Sequence, residues 1–362
     1  MKKPADTEQQ CSRRRFLKAS IASTFAATGS WAYSREANKP FFETRGVVLV
    51  PKDIQTWDWV QKAKQAGLST IATHITPSQV AKFVATDAGR SFLQSCRDSG
   101  LEVEHELHAI GDLLPRELFK KDPNMFRMNK QGQRTADYNL CVHSKTAIDI
   151  LCENALQYAK ILRPTTGRYF YWIDDGKPMC FCRKCRGLSD SDQALLMENH
   201  LLRALRQQDP RACLAHLVYL NTMRAPTQVK PEPGIFMEFA PIRRRMDKPL
   251  SRRDVLGKKG RLHGKILEDL DANLEVFGGE GAQALEYWLD ASRFAGWRRK
   301  NLIKVPFDGR VFLDDLQTYA RRGIRHVTSF AVWIDGEYVK RFGPPPLDEY
   351  GQVLLHTRPK KA

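Results

Sequence analysis

Nowhere in the 362 residues is there an apolar run of about 18 or more, the length a membrane-spanning helix needs, so the sequence offers no span. A Gly-rich phosphate loop after the first strand-like segment is also missing, which argues against a nucleotide-binding doubly wound sheet. No repeat with a period of about 20–50 residues stands out, which excludes a solenoid. Acidic residues are scarce: 41 Asp and Glu face 58 Lys and Arg, for a net charge of +17. A surplus of that size ordinarily raises nucleic acid as a partner. Hydrophobic residues make up 42% and charged residues 27%, which is ordinary globular composition and excludes a disordered chain.

The start of the chain changes how that charge is read. Residues 12–18, SRRRFLK, are basic, and Ala19 to Gly29, ASIASTFAATG, are weakly apolar. Ser30, Trp31 and Ala32 then place small residues where a signal peptidase cuts. This is the order of an export signal. The arginine pair with Phe16, Leu17 and Lys18 resembles the twin-arginine signal. The expectation is a leader over 1–32 read by the twin-arginine export machinery, then a linker over 33–45. The mature protein then begins near Tyr33, in a bacterial periplasm or outside the cell, with no membrane anchor after cleavage. Cys11 precedes the arginines, so it is not a lipoprotein cysteine. The leader takes +4 of the +17 with it. For an exported protein no nucleic acid is expected, and acidic glycans fit the remaining charge better.

Past the linker the pattern alternates. Short β-rich runs occur at 46–50, 68–75, 101–110, 168–174, 212–220, 234–240, 282–290 and 326–335. Amphipathic segments at 57–67, 78–100, 145–162, 189–208, 263–277 and 312–323 separate most of them. Strands alternating with helices imply a parallel sheet with crossovers. Eight such units predict an α/β fold, a TIM-like (β/α)8 barrel, as a single domain over 46–345 with a C-terminal tail over 346–362. A doubly wound open sheet is the alternative.

Three of these strands end in Trp, an aliphatic residue and Asp: Trp172-Ile173-Asp174, Trp288-Leu289-Asp290 and Trp333-Ile334-Asp335. In a βα barrel the C-terminal strand ends face the active site. Acids there, with indoles beside them, suit a sugar pocket: carboxylates move protons and indole faces stack on sugar C–H surfaces. Glycoside hydrolysis needs one carboxylic acid and a second carboxylate. Asp175 is expected as the general acid, with Asp174 or Glu286 as its partner, because adjacent carboxylates repel and raise one pKa. An Asp-Asp-Gly turn is the plainer reading of the pair. His74, His105, His108, Glu238, Trp288, Trp333 and Asp335 are the expected substrate-binding residues, although a structural role is the commoner state of such histidines.

Cys180, Cys182 and Cys185 stand in C-x-C-x-x-C spacing directly after the paired acids. Three thiols this close are candidate ligands for a structural zinc, with Cys141 as the fourth and His143 or Cys152 as alternatives. A disulfide or redox pair is the competing reading. Residues 242–265 hold ten Lys or Arg and two Asp. They are either a solvated loop or a surface for the carboxylate or sulfate groups of an anionic glycan.

Pro123, Phe126, Gly132 and Arg134, then Leu140-Cys141, then Asp175 followed by Cys180, Cys182 and Cys185, form a pattern that resembles a bacterial domain-of-unknown-function family related to glycoside hydrolases. The resemblance spans about residues 45–340. It implies a TIM-like barrel similar to those of α-glucuronidases and β-hexosaminidases. The resulting expectation is an exported glycoside hydrolase cleaving a complex polysaccharide or oligosaccharide, with acidic chains favoured by the basic segment. A non-catalytic carbohydrate-binding barrel and a periplasmic thiol-redox protein are the alternatives.

Overall fold

The computed structural model describes residues 39–360. The expected leader over 1–32, and residues 33–38 of the expected linker, lie outside the described residues. Eight strands form a closed barrel in chain order: β1 (Thr44–Leu49), β2 (Thr70–Ile75), β3 (Glu102–His108), β4 (Arg168–Trp172), β5 (Cys213–Val218), β6 (Ile235–Phe239), β7 (Gln283–Glu286) and β8 (His326–Phe330). All neighbours pair in parallel, and β1 closes on β8 with Val48 opposite Phe330. The expected single-domain (β/α)8 barrel is the observed one. Among the described residues, no helix is long and apolar enough to cross a membrane.

The strands are buried on both faces, and strand periodicity sorts their side chains into two layers. Outward residues such as Val47, Ile71, Leu107, Tyr171, Leu214 and Met237 join the helices in the larger core. Inward residues Val48, Ala72, Phe170, Trp172, Leu217, Phe236, Leu285 and Phe330 fill the barrel. The lower interior is polar. Arg168 reaches Glu104 at 3.6 Å and lies 3.8 Å over the Phe236 ring. Gln283 Nε2 donates to Glu106 at 3.0 Å and to Glu238 at 3.1 Å. Burial pushes the Glu238 carboxyl up to about 8 and holds Glu106 well above the usual range, so a proton is retained there at neutral pH.

Several boundaries differ from the sequence reading. The linker expected over 33–45 ends earlier, since Phe42 is fully buried and Thr44 and Arg45 belong to β1. The strands expected over 282–290 and 326–335 stop at Glu286 and Phe330, so Trp288, Asp290, Trp333 and Asp335 stand beyond the strands. The helix expected over 78–100 is two helices, Pro77–Val84 and Asp87–Ser99. Thr86 breaks the run because its hydroxyl accepts from Gly89 N at 3.1 Å and caps the second helix. Gly89 is required there, since an added Cβ would meet Phe83 O at 2.1 Å. The expected tail after 346 is a helix, Leu347–His356. It buries Leu347, Tyr350 and Leu354, and the Tyr350 hydroxyl donates to Gly46 O at 2.8 Å. It therefore belongs to the helix layer outside β1.

Candidate active site at the barrel mouth

A cavity of about 330 Å³ opens at the C-terminal ends of the strands. Its floor is aromatic. His74, at the end of β2, packs 5.0 Å from Phe330 and 5.6 Å from Trp172, centroid to centroid. His108, at the end of β3, lies 5.1 Å from Trp172. Trp172 is held from below, because its Nε1 donates to Glu238 Oε2 at 2.7 Å. The buried Glu238 thus sets the angle of an indole at the cavity floor.

Each histidine is locked by a backbone carbonyl. His74 Nδ1 meets Glu106 O at 2.7 Å, and His108 Nδ1 meets Ile173 O at 2.9 Å. A carbonyl only accepts, so both Nδ1 atoms carry the proton and each Nε2 is the acceptor in the neutral ring. Burial, and then the neighbouring His108, push His74 down to about 3, which keeps it neutral. Both residues line the cavity.

Two carboxyls line the same cavity, Asp175 in the loop after β4 and Asp290 after β7. Asp175 is exposed and lies beside the Tyr219 hydroxyl, whose pKa burial and then Asp175 push up. Asp290 is 4% exposed. It caps the short helix Ala291–Phe294: its Oδ1 accepts from Ser292 N at 3.1 Å, Ser292 Oγ at 2.6 Å and Arg293 N at 3.2 Å. Burial outweighs these bonds and pushes its carboxyl up to about 6.

The rim carries Trp297 and Trp333. Trp297 is 58% exposed, which is unusual for the largest apolar side chain. Six non-glycine residues among those described have positive φ, and three of them, Ile75 (123°), Trp297 (57°) and Trp333 (70°), line this cavity. Such strain gathers where a surface is shaped for a ligand. Arg299 braces Trp333 from 5.6 Å, and Asp53 accepts from Trp333 N at 3.2 Å.

Several expected site residues do not reach this cavity. Asp174 Oδ2 accepts from Arg116 Nη2 and Asn139 N, each at 2.5 Å, so it pins the loop. Glu286 alternates outward from β7 and is fully buried against the helices. There it meets Arg244 Nη1 at 2.8 Å and the Tyr319 hydroxyl at 2.5 Å. Glu238 lies under the Trp172 floor. His105 points outward to Thr73 Oγ1 at 2.7 Å, and Trp288 points outward to Asp315 Oδ2 at 2.9 Å. Asp335 caps the helix Gly336–Phe342 and pairs with Arg299 at 2.6 Å. His74, His108, Asp175 and Trp333 do line the cavity. Asp290, Tyr219, Tyr287 and Trp297 were not singled out as site residues. Asp290 carried a signal, the Trp-aliphatic-Asp sequence that recurs at Trp172–Asp174 and Trp333–Asp335. The other three sit in loops or turns with no pattern to mark them.

The cysteines gather next to this mouth. The Sγ atoms of Cys141, Cys180, Cys182 and Cys185 are buried and all lie within 4.8 Å of one another. Cys141 Sγ is 3.7 Å from Cys182 Sγ and 3.9 Å from Cys185 Sγ. A disulfide requires about 2.05 Å. Four thiolates at about 2.3 Å around a tetrahedral ion would sit about 3.8 Å apart, so the donor set fits a metal. Met128 N at 3.3 Å and Arg134 Nη1 at 3.6 Å donate to Cys180, and His143 Nδ1 lies 3.2 Å from Cys185. His143 is thus a neighbour of the cluster. Cys152, the other alternative ligand, is outside it on the helix Lys145–Ile161.

The family described as Domain of unknown function (DUF4838) matches residues 32–264. The chain belongs to the DUF4838 family. No curated protein matches it. Solved structures similar to this DUF4838 chain include a glycoside hydrolase, at 10% identity and TM-score 0.47, covering 87% of this chain and 100% of the other. An endo-beta-1,4-glucanase from Xanthomonas axonopodis pv. citri aligns at 9% identity and TM-score 0.48, over 87% and 100%. A Bacteroides ovatus GH5 xyloglucanase in complex with a XXXG heptasaccharide aligns at 10% identity and TM-score 0.45, over 88% and 74%.

Proposed function

We propose that this DUF4838 member is a glycoside hydrolase acting on a polysaccharide or oligosaccharide, with Asp290 as general acid and Asp175 as the second carboxylate. The observation that carries the reading is the pairing, in one aromatic cavity, of a buried carboxyl that holds its proton to about pH 6 with an exposed one. Environments that differ in this way separate acid and base roles. Asp290 would protonate the glycosidic oxygen. Asp175, with the Tyr219 hydroxyl beside it, would act as nucleophile or as base toward water. Trp297 and Trp333 offer faces for sugar rings, and the Nε2 atoms of His74 and His108 stand ready to accept from hydroxyls. Asp175 was expected as the acid, but its hydration and the burial of Asp290 favour the opposite roles. An acidic chain is the favoured substrate, because the basic segment 242–265 adjoins the cavity: Ile242 lines it, and Lys258 Nζ lies 5.9 Å over the ring of the rim residue Trp297.

The four-cysteine cluster would hold a structural zinc that pins the loop between β4 and the helix Asp190–Leu205. Such an ion supplies folding free energy. Export through the twin-arginine route belongs to the same proposal. Supporting it are the basic, apolar and small-residue order of 12–32 and a family match that begins at residue 32.

The test is release of reducing ends by the purified protein from a panel of neutral and acidic glycans. Turnover of at least one class is expected. Saturable binding without turnover on every member would leave a carbohydrate-binding barrel in its place.

A further inference from the structure

We infer that a second cavity beside the mouth, ringed by Arg224, Arg243 and Arg261, binds an oxyanion carried on the substrate: the carboxylate of a sugar acid or a sulfate ester. The inference rests on the reading of the mouth as a sugar site and specifies the subsite that selects the substrate class.

This cavity measures about 110 Å³ and shares Ile242 with the mouth, so the two adjoin. Its three arginines come from two connections, one after β5 and one after β6. Arg224 follows the turn after β5, Arg243 follows β6, and Arg261 stands just before the helix His263–Phe277. Arg261 is anchored to Asp269 of that helix. Among the described residues, no carboxylate pairs with the side chain of Arg224 or Arg243. Arg261 shows the strain of this arrangement: burial, then Arg224, then Arg243 lower its pKa, against a raising effect from Glu268. Two guanidinium groups therefore act on the third, and among the described residues Asp269 is the carboxylate ion-paired with it. An oxyanion between them would remove that repulsion and accept paired N–H bonds in the geometry arginine favours.

The remaining lining suits a sugar that bears the charge. Leu220, Met223 and Ile266 contribute apolar surface for ring C–H groups. Leu220 has φ 41°, a further left-handed residue at a cavity wall. Arg243 also acts on Tyr219, the residue that stands beside Asp175 in the mouth. The subsite therefore adjoins the wall of the mouth that carries Tyr219 and Ile242. The small volume admits one anionic group, whereas nucleic acid binding uses a stripe of cations along a strand.

The test is calorimetric titration of the full chain with glucose, glucuronic acid and glucose 6-sulfate, each at several salt concentrations. One or both acidic sugars are expected to bind about tenfold tighter than glucose, the worth of one charge-assisted hydrogen bond. The tighter of the two identifies carboxylate or sulfate as the natural group. In the Arg224→Gln/Arg243→Gln variant the three affinities should become equal. Its melting temperature should be unchanged, because neither side chain makes an ion pair. Equal affinities in the wild type, or an acidic preference that survives in the variant, would overturn the subsite while leaving the sugar site standing. Failure of all three sugars to bind would overturn both. A short single-stranded oligonucleotide that bound through the same arginines more tightly than either acidic sugar would overturn the sugar assignment of the subsite.

Discussion

Asp290 shows how one side chain acquires a chemical role from its surroundings. Burial raises its carboxyl to about 6, against the opposing pull of Ser292 and Arg293. A raised acid is protonated below that value and loses its proton above it. Activity that needs the Asp290 proton is therefore present below about pH 6 and declines through and above it. The expected kcat/KM profile has an alkaline limb near pH 6. Asp290→Asn should lower kcat by about 10²–10⁴-fold and remove the limb. A limb that stays in place in the variant would assign it to another group. Trp297 makes a second claim at this scale. It is exposed, so Trp297→Ala should leave thermal stability nearly unchanged and raise KM about three- to tenfold, the range of one lost aromatic contact.

At the scale of elements, two buried clusters do structural work beside the mouth. Arg244 joins Glu286 at 2.8 Å and Asp315 at 2.6 Å, all three fully buried between β7 and the helices. Removing one partner of such a cluster strands a buried charge. Arg244→Met should destabilise the fold by about 3–5 kcal/mol, read as a shifted urea midpoint at constant slope. Glu286→Gln keeps the shape and should keep turnover in whatever fraction stays folded. Loss of turnover in folded Glu286→Gln would return Glu286 to the mechanism. The cysteine cluster is the second element. Metal analysis should find one zinc per chain, and Cys182→Ser should lose it and expose the loop after β4 to protease. Full protection in a metal-free preparation would show that the loop is held without an ion.

At the scale of the whole molecule, the barrel was legible in the sequence because eight β-rich runs alternate with amphipathic helices. The cysteine cluster was legible because three of its members are close in sequence. Which face each strand residue takes was harder to read. Strands buried on both sides carry no polar alternation, so Glu286 and Asp290 look equally eligible until the register of β7 turns Glu286 outward. Asp174 and Asp175 are adjacent, yet only the partners of Asp174, Arg116 and Asn139, show that it is a clamp. Those partners lie 58 and 35 positions away in the chain, beyond the reach of local pattern. The net charge of +17 is likewise resolved only in three dimensions, where Arg224 from one connection meets Arg243 and Arg261 from the two ends of another beside the mouth.

The central claim is that Asp175 and Asp290 form one catalytic pair. It is tested most directly by single-turnover hydrolysis of a cleaved oligosaccharide by wild type, Asp175→Asn, Asp290→Asn and the double variant, with binding measured in parallel. The expected result is a loss of at least about a hundredfold in each single variant, with binding retained and little further loss in the double variant, because the residues act as a unit. Turnover at the wild-type rate in either single variant would contradict the claim.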